Sequence, residues 1–222
     1  MPKILVLMGA PGAGKGTQAR LLQERMNLPQ ISTGDIFRAL AQSDTPLANE
    51  VRVIQQSGRL IPDELVIRVV AQRTGQPDCE LGYVLDGFPR TTVQAKMLEH
   101  LAARQKHALT AVLIDVPVEL LTKRLTGRRN CPVCGEIYNV YFKPPRNDNR
   151  CDLHPAQELT FRADDAPEKI RVRLETYETA TAPLLDYYDH SGRLQRVDGT
   201  RPPEEIYSQI EQVISATGVT VQ

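Results

Sequence analysis

An apolar run, Lys3-Ile4-Leu5-Val6-Leu7-Met8, leads straight into Gly9-Ala10-Pro11-Gly12-Ala13-Gly14-Lys15-Gly16-Thr17, and no other stretch of the chain constrains its fold as tightly. The hexamer reads as a buried strand. The glycines after it let the backbone curl so that successive N–H groups face one concavity, where Lys15 adds a full positive charge. A helix expected over Lys15–Met26 aims the positive end of its dipole at the same spot. A polyphosphate fits such a cradle. One detail departs from the generic loop, in which Ser or Thr follows the lysine directly: here Gly16 comes between Lys15 and Thr17. A Gly-rich turn with no ligand is the bland alternative, and the strand before, lysine within and helix after it argue for the phosphate loop.

The 222 residues suffice for one large α/β domain or a core with small insertions. Apolar residues make up 41% and charged ones 24%, the ordinary globular range. Lys and Arg balance Asp and Glu at 27 each, so no global field recruits nucleic acid or a membrane surface, and anion affinity must be local. No apolar run approaches the roughly 20 residues that span a bilayer. The strand and loop begin at residue 3, which leaves no room for a cleavable signal, and a cytosolic location is expected.

Apolar, β-branched runs alternate with helical periodicity, the pattern of a parallel sheet covered on both faces. Strands are expected at Lys3–Met8, Pro29–Ile31, Tyr83–Asp86, Ala111–Val116 and Leu194–Val197. Helices are expected at Lys15–Met26, Gly34–Ala41 (capped by Ser32 or Thr33), Pro46–Gln56, Asp63–Arg73, Thr92–Arg104, Val118–Leu125, Pro167–Tyr188 and Pro203–Ala216. Two stretches break the alternation. Residues 32–61 place two short helices between strands, and residues 127–164 lack helical periodicity and carry Pro144-Pro145, Asn/Asp-rich turns and three cysteines. Each reads as a small module inserted over the carboxyl ends of the strands, where ligands bind and covers move. The expected organisation is a core of residues 1–31, 62–126 and 165–222 carrying two inserted modules, 32–61 and 127–164.

The cysteines sharpen the second module. Cys131-Pro132-Val133-Cys134 and Cys151-Asp152-Leu153-His154 flank sixteen intervening residues, the spacing of a two-knuckle zinc site. Cys131, Cys134, Cys151 and His154 would saturate a tetrahedral ion, so the metal would be structural. Asp152 stands close enough to compete with His154 for the fourth position. One disulfide plus a spare thiol is the alternative, but a segment this short and polar cannot build its own core without a cross-link. Cys79 stands alone, as a small apolar residue, and His100, His107 and His190 show no partner pattern.

Leu85-Asp86-Gly87-Phe88-Pro89-Arg90 closes the third strand. Asp86 there can hold Mg²⁺ through water, and Arg90 can fork onto a phosphate. Arg38, Arg124, Arg128, Arg162 and Arg173 stand where the covers would meet the core. Singly each reads as a solvated charge; jointly they suit phosphoryl transfer, which needs charge on three equatorial oxygens neutralised and the two ends held in line.

Six separated motifs carry a resemblance over residues 3 to about 201: Gly9-Ala-Pro-Gly-Ala-Gly-Lys-Gly-Thr17, Ser32-Thr-Gly-Asp-Ile-Phe-Arg38, Asp86-Gly-Phe-Pro-Arg90 with Gln94, Gly127-Arg-Arg129, Glu158-Leu-Thr-Phe-Arg-Ala-Asp-Asp165 and Val197-Asp-Gly-Thr200. The chain closely resembles the adenylate kinases, in the long-lid form whose lid bears a zinc knuckle; Gly16 is that family's own form of the loop. The resemblance implies a P-loop NTPase-type three-layer α/β fold and a monomer converting ATP and AMP reversibly into two ADP, with Mg²⁺ on the donor and structural Zn²⁺ in the lid. It implies that Gly12, Ala13, Gly14, Lys15, Gly16 and Thr17 hold the donor phosphates. Arg124 and Arg128 lie on the donor side, with Ile137, Tyr138 and the Arg201 backbone about the base. Thr33, Arg38, Arg59, Leu60, Ile61, Gly87, Phe88, Pro89, Arg90 and Gln94 would hold AMP, Gln94 on the adenine edge. Arg162 and Arg173 would bridge the moving phosphoryl group while Asp86 orients the waters of Mg²⁺. Lys15, Arg38, Arg90, Arg128, Arg162, Arg173 and Asp86 are thus the expected catalytic set, and Asp164 and Asp165 the anchors of a closed lid. His154 departs from the Cys or Asp more usual there.

Two other readings stay open. A kinase for UMP, CMP or GMP would share the loop and many of the arginines, although Gln94 and Thr33 favour adenine. A zinc-ribbon nucleic-acid binder would need a basic face with stacking aromatics, and only Tyr138, Tyr141 and Phe142 cluster in a chain of zero net charge.

Overall fold

β1 (Lys3–Met8) is buried along its whole length and pairs in parallel with two neighbours, so the N-terminal hexamer forms the middle of a sheet. The computed structural model describes residues 3–44, 46–57 and 60–216. The other strands of this sheet are β2 (Gln30–Ser32), β3 (Gly82–Asp86), β4 (Ala108–Asp115) and β7 (Leu194–Asp198), all parallel, in the order β2-β3-β1-β4-β7. The chain leaves β1 toward β2 and β3, then crosses back to β4 on the other side. Strand order therefore reverses at β1, which puts the ligand crevice at its carboxyl end, where the glycine loop starts.

Side chains along a strand alternate between faces, and two cores follow from that period. Ile4, Val6 and Met8 of β1 face one side with Tyr83, Leu85 and Leu113; Val66 and Val70 of α4 (Asp63–Thr74), Ala95 and Leu98 of α5 (Thr92–Gln105), and Leu184 of α8 (Pro183–His190) cover them. Leu5, Leu7, Val84, Val112 and Ile114 face the other side. Against them pack Ala19 and Leu22 of α1 (Lys15–Met26), Leu121 of α6 (Val118–Thr126), and Ile206, Ile210 and Ile214 of α9 (Pro203–Ala216). This is the expected three-layer α/β arrangement. Among the described residues no helix is long and apolar enough to cross a membrane.

Several boundaries differ from the sequence expectation for local reasons. Pro29 has no N–H to give the ladder, but its carbonyl accepts from Val84 N–H at 2.9 Å, so β2 proper starts at Gln30. β4 begins three residues early, because Ala108, Leu109 and Thr110 pair with Lys3, Ile4 and Leu5. Ser32 caps α2 (Thr33–Leu40), its Oγ accepting from Asp35 N–H at 3.2 Å. α3 (Pro46–Ser57) follows, and Gly58 and Arg59 lie outside the described residues. The single helix expected over Pro167–Tyr188 is two, α7 (Pro167–Thr176) and α8. Between them Tyr177–Thr181 winds more widely, with Ala182 N–H reaching back five residues to Tyr177 C=O at 2.8 Å. Pro183 explains the break, since it cannot donate within a helix.

Residues 128–139 form an antiparallel hairpin, β5 (Arg128–Asn130) and β6 (Ile137–Asn139). Isolated bridges tie Asn130 to Thr160 and Arg150 to Glu158, closing this segment on itself. Its buried centre is only Cys131, Tyr138, Cys151 and Leu159.

Candidate active site

The glycine loop leaves β1 and enters α1 through Gly14, whose left-handed backbone and missing side chain leave the first-turn N–H groups without a side-chain cap. Lys15 Nζ donates to the carbonyls of Gly9 (2.7 Å) and Ala10 (3.1 Å), so the ammonium is held over the concavity. Burial pushes Lys15 down from its ordinary value to about 8; Asp86 opposes this, while Arg90, Arg173 and Arg128 add to it. Gly16 runs close beside Asp86, and a Cβ there would lie 3.3 Å from Asp86 Oδ2. That proximity gives the irregular spacer a reason: a side chain at position 16 would press on the carboxylate.

The arginines converge. Arg38, Arg90, Arg124, Arg128, Arg162 and Arg173 line one cavity of about 940 Å³ together with Lys15, Thr17 and Asp86. Arg128 forks onto Asp165, Nε to Oδ2 at 2.7 Å and Nη2 to Oδ1 at 2.6 Å, and Arg173 Nη1 shares Oδ1 at 2.9 Å. Asp165 is fully buried, so these two guanidiniums are set by a charge-assisted clamp. Arg173 also reaches Asp164 Oδ2 at 3.2 Å, and Arg38 pairs with Asp35 at 2.5 Å. Arg162 has a weaker hold, Nε to Asn130 Oδ1 at 2.9 Å. Burial, then repulsion from Arg128 and Arg38, pushes Arg162 down to about 10. Burial and Arg173 likewise lower Arg90. Burial alone would raise Asp164, but Arg173, Arg38, Arg128 and Arg162 outweigh it and hold the carboxyl below its usual range. Positive charge crowded this way, with too few carboxylates, describes a site built for a polyanion.

Arg124 is fixed differently. Its Nη2 donates to Gly199 C=O at 2.8 Å and Nη1 to Ala13 C=O at 3.3 Å, tying the glycine loop to the turn after β7. Arg201, on that turn, lines the same cavity and donates from Nε to Asp198 Oδ2 at 2.9 Å.

A smaller hollow of about 70 Å³ opens beside the large one, lined by Thr33, Phe37, Ile61, Val66 and Gln94 and sharing Gly34, Leu60, Gly87 and Arg90 with it. Thr33 Oγ1 donates to Gly87 C=O at 2.9 Å, and Gln94 Oε1 accepts from Arg90 N–H at 2.7 Å. At Gly87, with φ +79, a Cβ would lie 3.0 Å from Arg90 Nη2 and 3.1 Å from Thr33 Oγ1. Only glycine lets those two groups flank the turn. Pro89 lines the large cavity, whereas Phe88 is buried in the core. Arg59 lies outside the described residues.

The sulfurs of Cys131, Cys134 and Cys151 and one ring nitrogen of His154 lie within 4.8 Å of one another. Ligands about 2.3 Å from a tetrahedral ion stand about 3.8 Å apart. Cys134 Sγ and Cys151 Sγ are separated by 3.8 Å, as are Cys151 Sγ and His154 Nδ1. These four residues fit zinc, and no disulfide joins them. Asp152 turns away to accept from Arg146 N–H at 2.8 Å, so His154 completes the group.

Comparison with known proteins agrees with this geometry. The family model described as "Adenylate kinase" matches residues 7–193. The chain belongs to the adenylate kinase family. It is 45% identical over 217 residues to an adenylate kinase of Clostridium perfringens, covering 97% of this chain and 99% of that one. The adenylate kinase of Thermodesulfovibrio yellowstonii is 47% identical over 207 residues, or 93% and 96% of the two chains. That of Symbiobacterium thermophilum is 46% identical over 214, or 96% and 99%. The protein is a nucleoside monophosphate kinase of this family.

Within this adenylate kinase family member, the structure adds residues that the sequence did not single out. Arg20 of α1 reaches across the cavity mouth to Glu136 of the hairpin segment, Nη1 to Oε2 at 2.6 Å, and Lys143 Nζ pairs with the other carboxylate oxygen. Asp63 accepts from Gln94 Nε2 at 2.7 Å and so orients its amide. Phe142, about half exposed, lines the cavity beside Ile137 and Tyr138. Lone charges on helices give no pattern to read; Phe142 stood in the noted aromatic cluster, but nothing in the sequence aimed it at the cavity.

Proposed function

We propose that this chain transfers a phosphoryl group reversibly from ATP, as its Mg²⁺ complex, to AMP, giving two ADP. The observation that carries the reading is the convergence of six arginines, from β3's end, α2, α6, α7 and the hairpin segment, on one cavity that runs from the glycine loop to the Thr33–Gln94 hollow. Gly12 to Thr17 hold the donor phosphates, with Lys15 against the outer ones. Arg124, Phe142, Ile137, Tyr138 and the Arg201 backbone form the donor base end. Thr33, Arg38, Arg59, Leu60, Ile61, the Gly87–Arg90 turn and Gln94 hold the acceptor, whose base enters the smaller hollow.

Catalysis in this scheme is positioning and electrostatics. Arg38 and Arg90 hold the acceptor phosphate in line, and Arg128, Arg162 and Arg173 neutralise charge spreading over the equatorial oxygens. Asp86 would orient the waters of Mg²⁺, and the cation, when bound with the donor, would supply charge neutralisation to its phosphates. Cys131, Cys134, Cys151 and His154 would hold Zn²⁺, which would cross-link the hairpin segment and leave no open position for chemistry. Residues 32–61 and 127–164 serve as covers over a core of residues 1–31, 62–126 and 165–222. Closure over both nucleotides keeps water from the donor. The family resemblance further supports a cytoplasmic monomer.

Initial rates with Mg-ATP and each of AMP, GMP, CMP and UMP test the assignment. AMP is expected to be preferred by at least tenfold, since Thr33 and Gln94 frame a small hollow suited to adenine. Equal rates, or a preference for a pyrimidine monophosphate, would overturn it.

A further inference from the structure

Tyr138, in β6, is only 2% exposed, yet it carries a hydroxyl. Asp152 N–H donates to that oxygen at 2.8 Å, and Cys151 Sγ lies 3.6 Å from it. Among the described residues these are its two polar neighbours. The amide occupies an oxygen lone pair, so the phenolic proton must point elsewhere, and the sulfur is the acceptor within reach. A metal-bound thiolate has no proton to give, which fixes the direction of the bond whenever the knuckle is loaded. Lys143 Nζ, 5.5 Å from the ring centroid, draws on the ring's electrons and strengthens the hydroxyl as a donor.

We propose that Tyr138 is a positioning residue of the metal knuckle: its hydroxyl donates to the ligand sulfur of Cys151 while receiving the Asp152 amide, and so holds the Cys151–His154 turn in its ligating shape. The inference rests on the zinc reading given above. Groups that orient a metal ligand in this way typically govern 10–100-fold in affinity. Tyr138 is also among the residues lining the nucleotide cavity, so one residue adjoins both the metal knuckle and the donor base end.

The full-length protein loaded with Co²⁺ tests this through its sulfur-to-cobalt absorption band, alongside Zn²⁺ competition against a chromophoric chelator. Tyr138→Phe should weaken Zn²⁺ binding 10–100-fold and move the band to longer wavelength, because the sulfur lone pairs rise in energy without the hydrogen bond. Unchanged affinity with an unmoved band overturns the proposal. So does weaker binding with an unmoved band, which would mark lost packing alone. If the native protein gives no such band, the zinc reading itself falls, and the proposal with it. Should Tyr138→Phe fail to fold, 3-fluorotyrosine at position 138, a stronger donor of nearly the same shape, should move the band to shorter wavelength; an unmoved band again overturns it.

Discussion

Lys15 is held where its charge is least comfortable and most useful. Burial brings it from an ordinary value of 10.5 to about 8. The free enzyme should therefore lose donor affinity as pH rises through about 8, seen as a falling kcat/KM for Mg-ATP between pH 7 and 10; a flat profile would contradict this. Stability responds with the opposite sign. Between about 8 and 10.5 the unfolded chain holds this proton and the folded one does not, so this residue's contribution to stability rises with pH across that window. Arg162 is under similar tension, lowered to about 10 by burial and by Arg128 and Arg38. Arg162→Ala should cut kcat by roughly 10²–10³. Thermal melting should show no loss of Tm, and a rise is expected, because the variant removes repulsion. A clear drop in Tm would show that Arg162 is a structural residue. Glycines and paired motifs were readable at this scale, since backbone demands at the loop and turn leave few alternatives. Arg20 and Glu136 were not, because their partners are distant in sequence.

At the scale of elements, the Arg20–Glu136 pair is a direct polar tie between α1 and the hairpin segment across the cavity mouth. A partly exposed pair of this kind contributes up to about 1 kcal/mol, or about fivefold in an equilibrium constant. Glu136→Gln should raise the donor KM two- to fivefold (the span of about 0.5–1 kcal/mol) with a smaller change in kcat, and adding Arg20→Gln to it should cost no more than Glu136→Gln alone in steady-state assays. No change in KM would mean that the segment is held by other contacts. Strand existence followed from apolar runs, and the alternation of Leu5 and Leu7 against Ile4 and Val6 decided both cores. Boundaries were less legible. The early start of β4 depends on register with β1, a long-range pairing that Ala108–Thr110 do not advertise. Pro183 did signal the break between α7 and α8, but helical periodicity on both sides masked it.

At the scale of the whole molecule, the segment around the cysteine cluster has, among the described residues, a buried centre of four residues, two of them cysteines of the group proposed to hold zinc, too little to fold unaided. Removing the metal with a chelator, or Cys131→Ser, should lower the first melting transition and expose residues 127–164 to proteolysis while the sheet core stays folded. Unaltered melting after verified metal loss would contradict a structural ion. The cysteine spacing pointed to this cluster, and the fold brings His154 rather than Asp152 to the three sulfurs, because only folded geometry decides which side chain turns inward.

The central claim is that one cavity holds donor and acceptor end to end between the glycine loop and the Thr33–Gln94 hollow. Calorimetric titration with diadenosine pentaphosphate, which joins both adenosines through a single phosphate chain, tests it most directly. One molecule bound per chain, more tightly than either ATP or AMP alone and weakened at least tenfold by Arg90→Ala, is the predicted result. Two independent weak events per chain, or no heat at all, would contradict it.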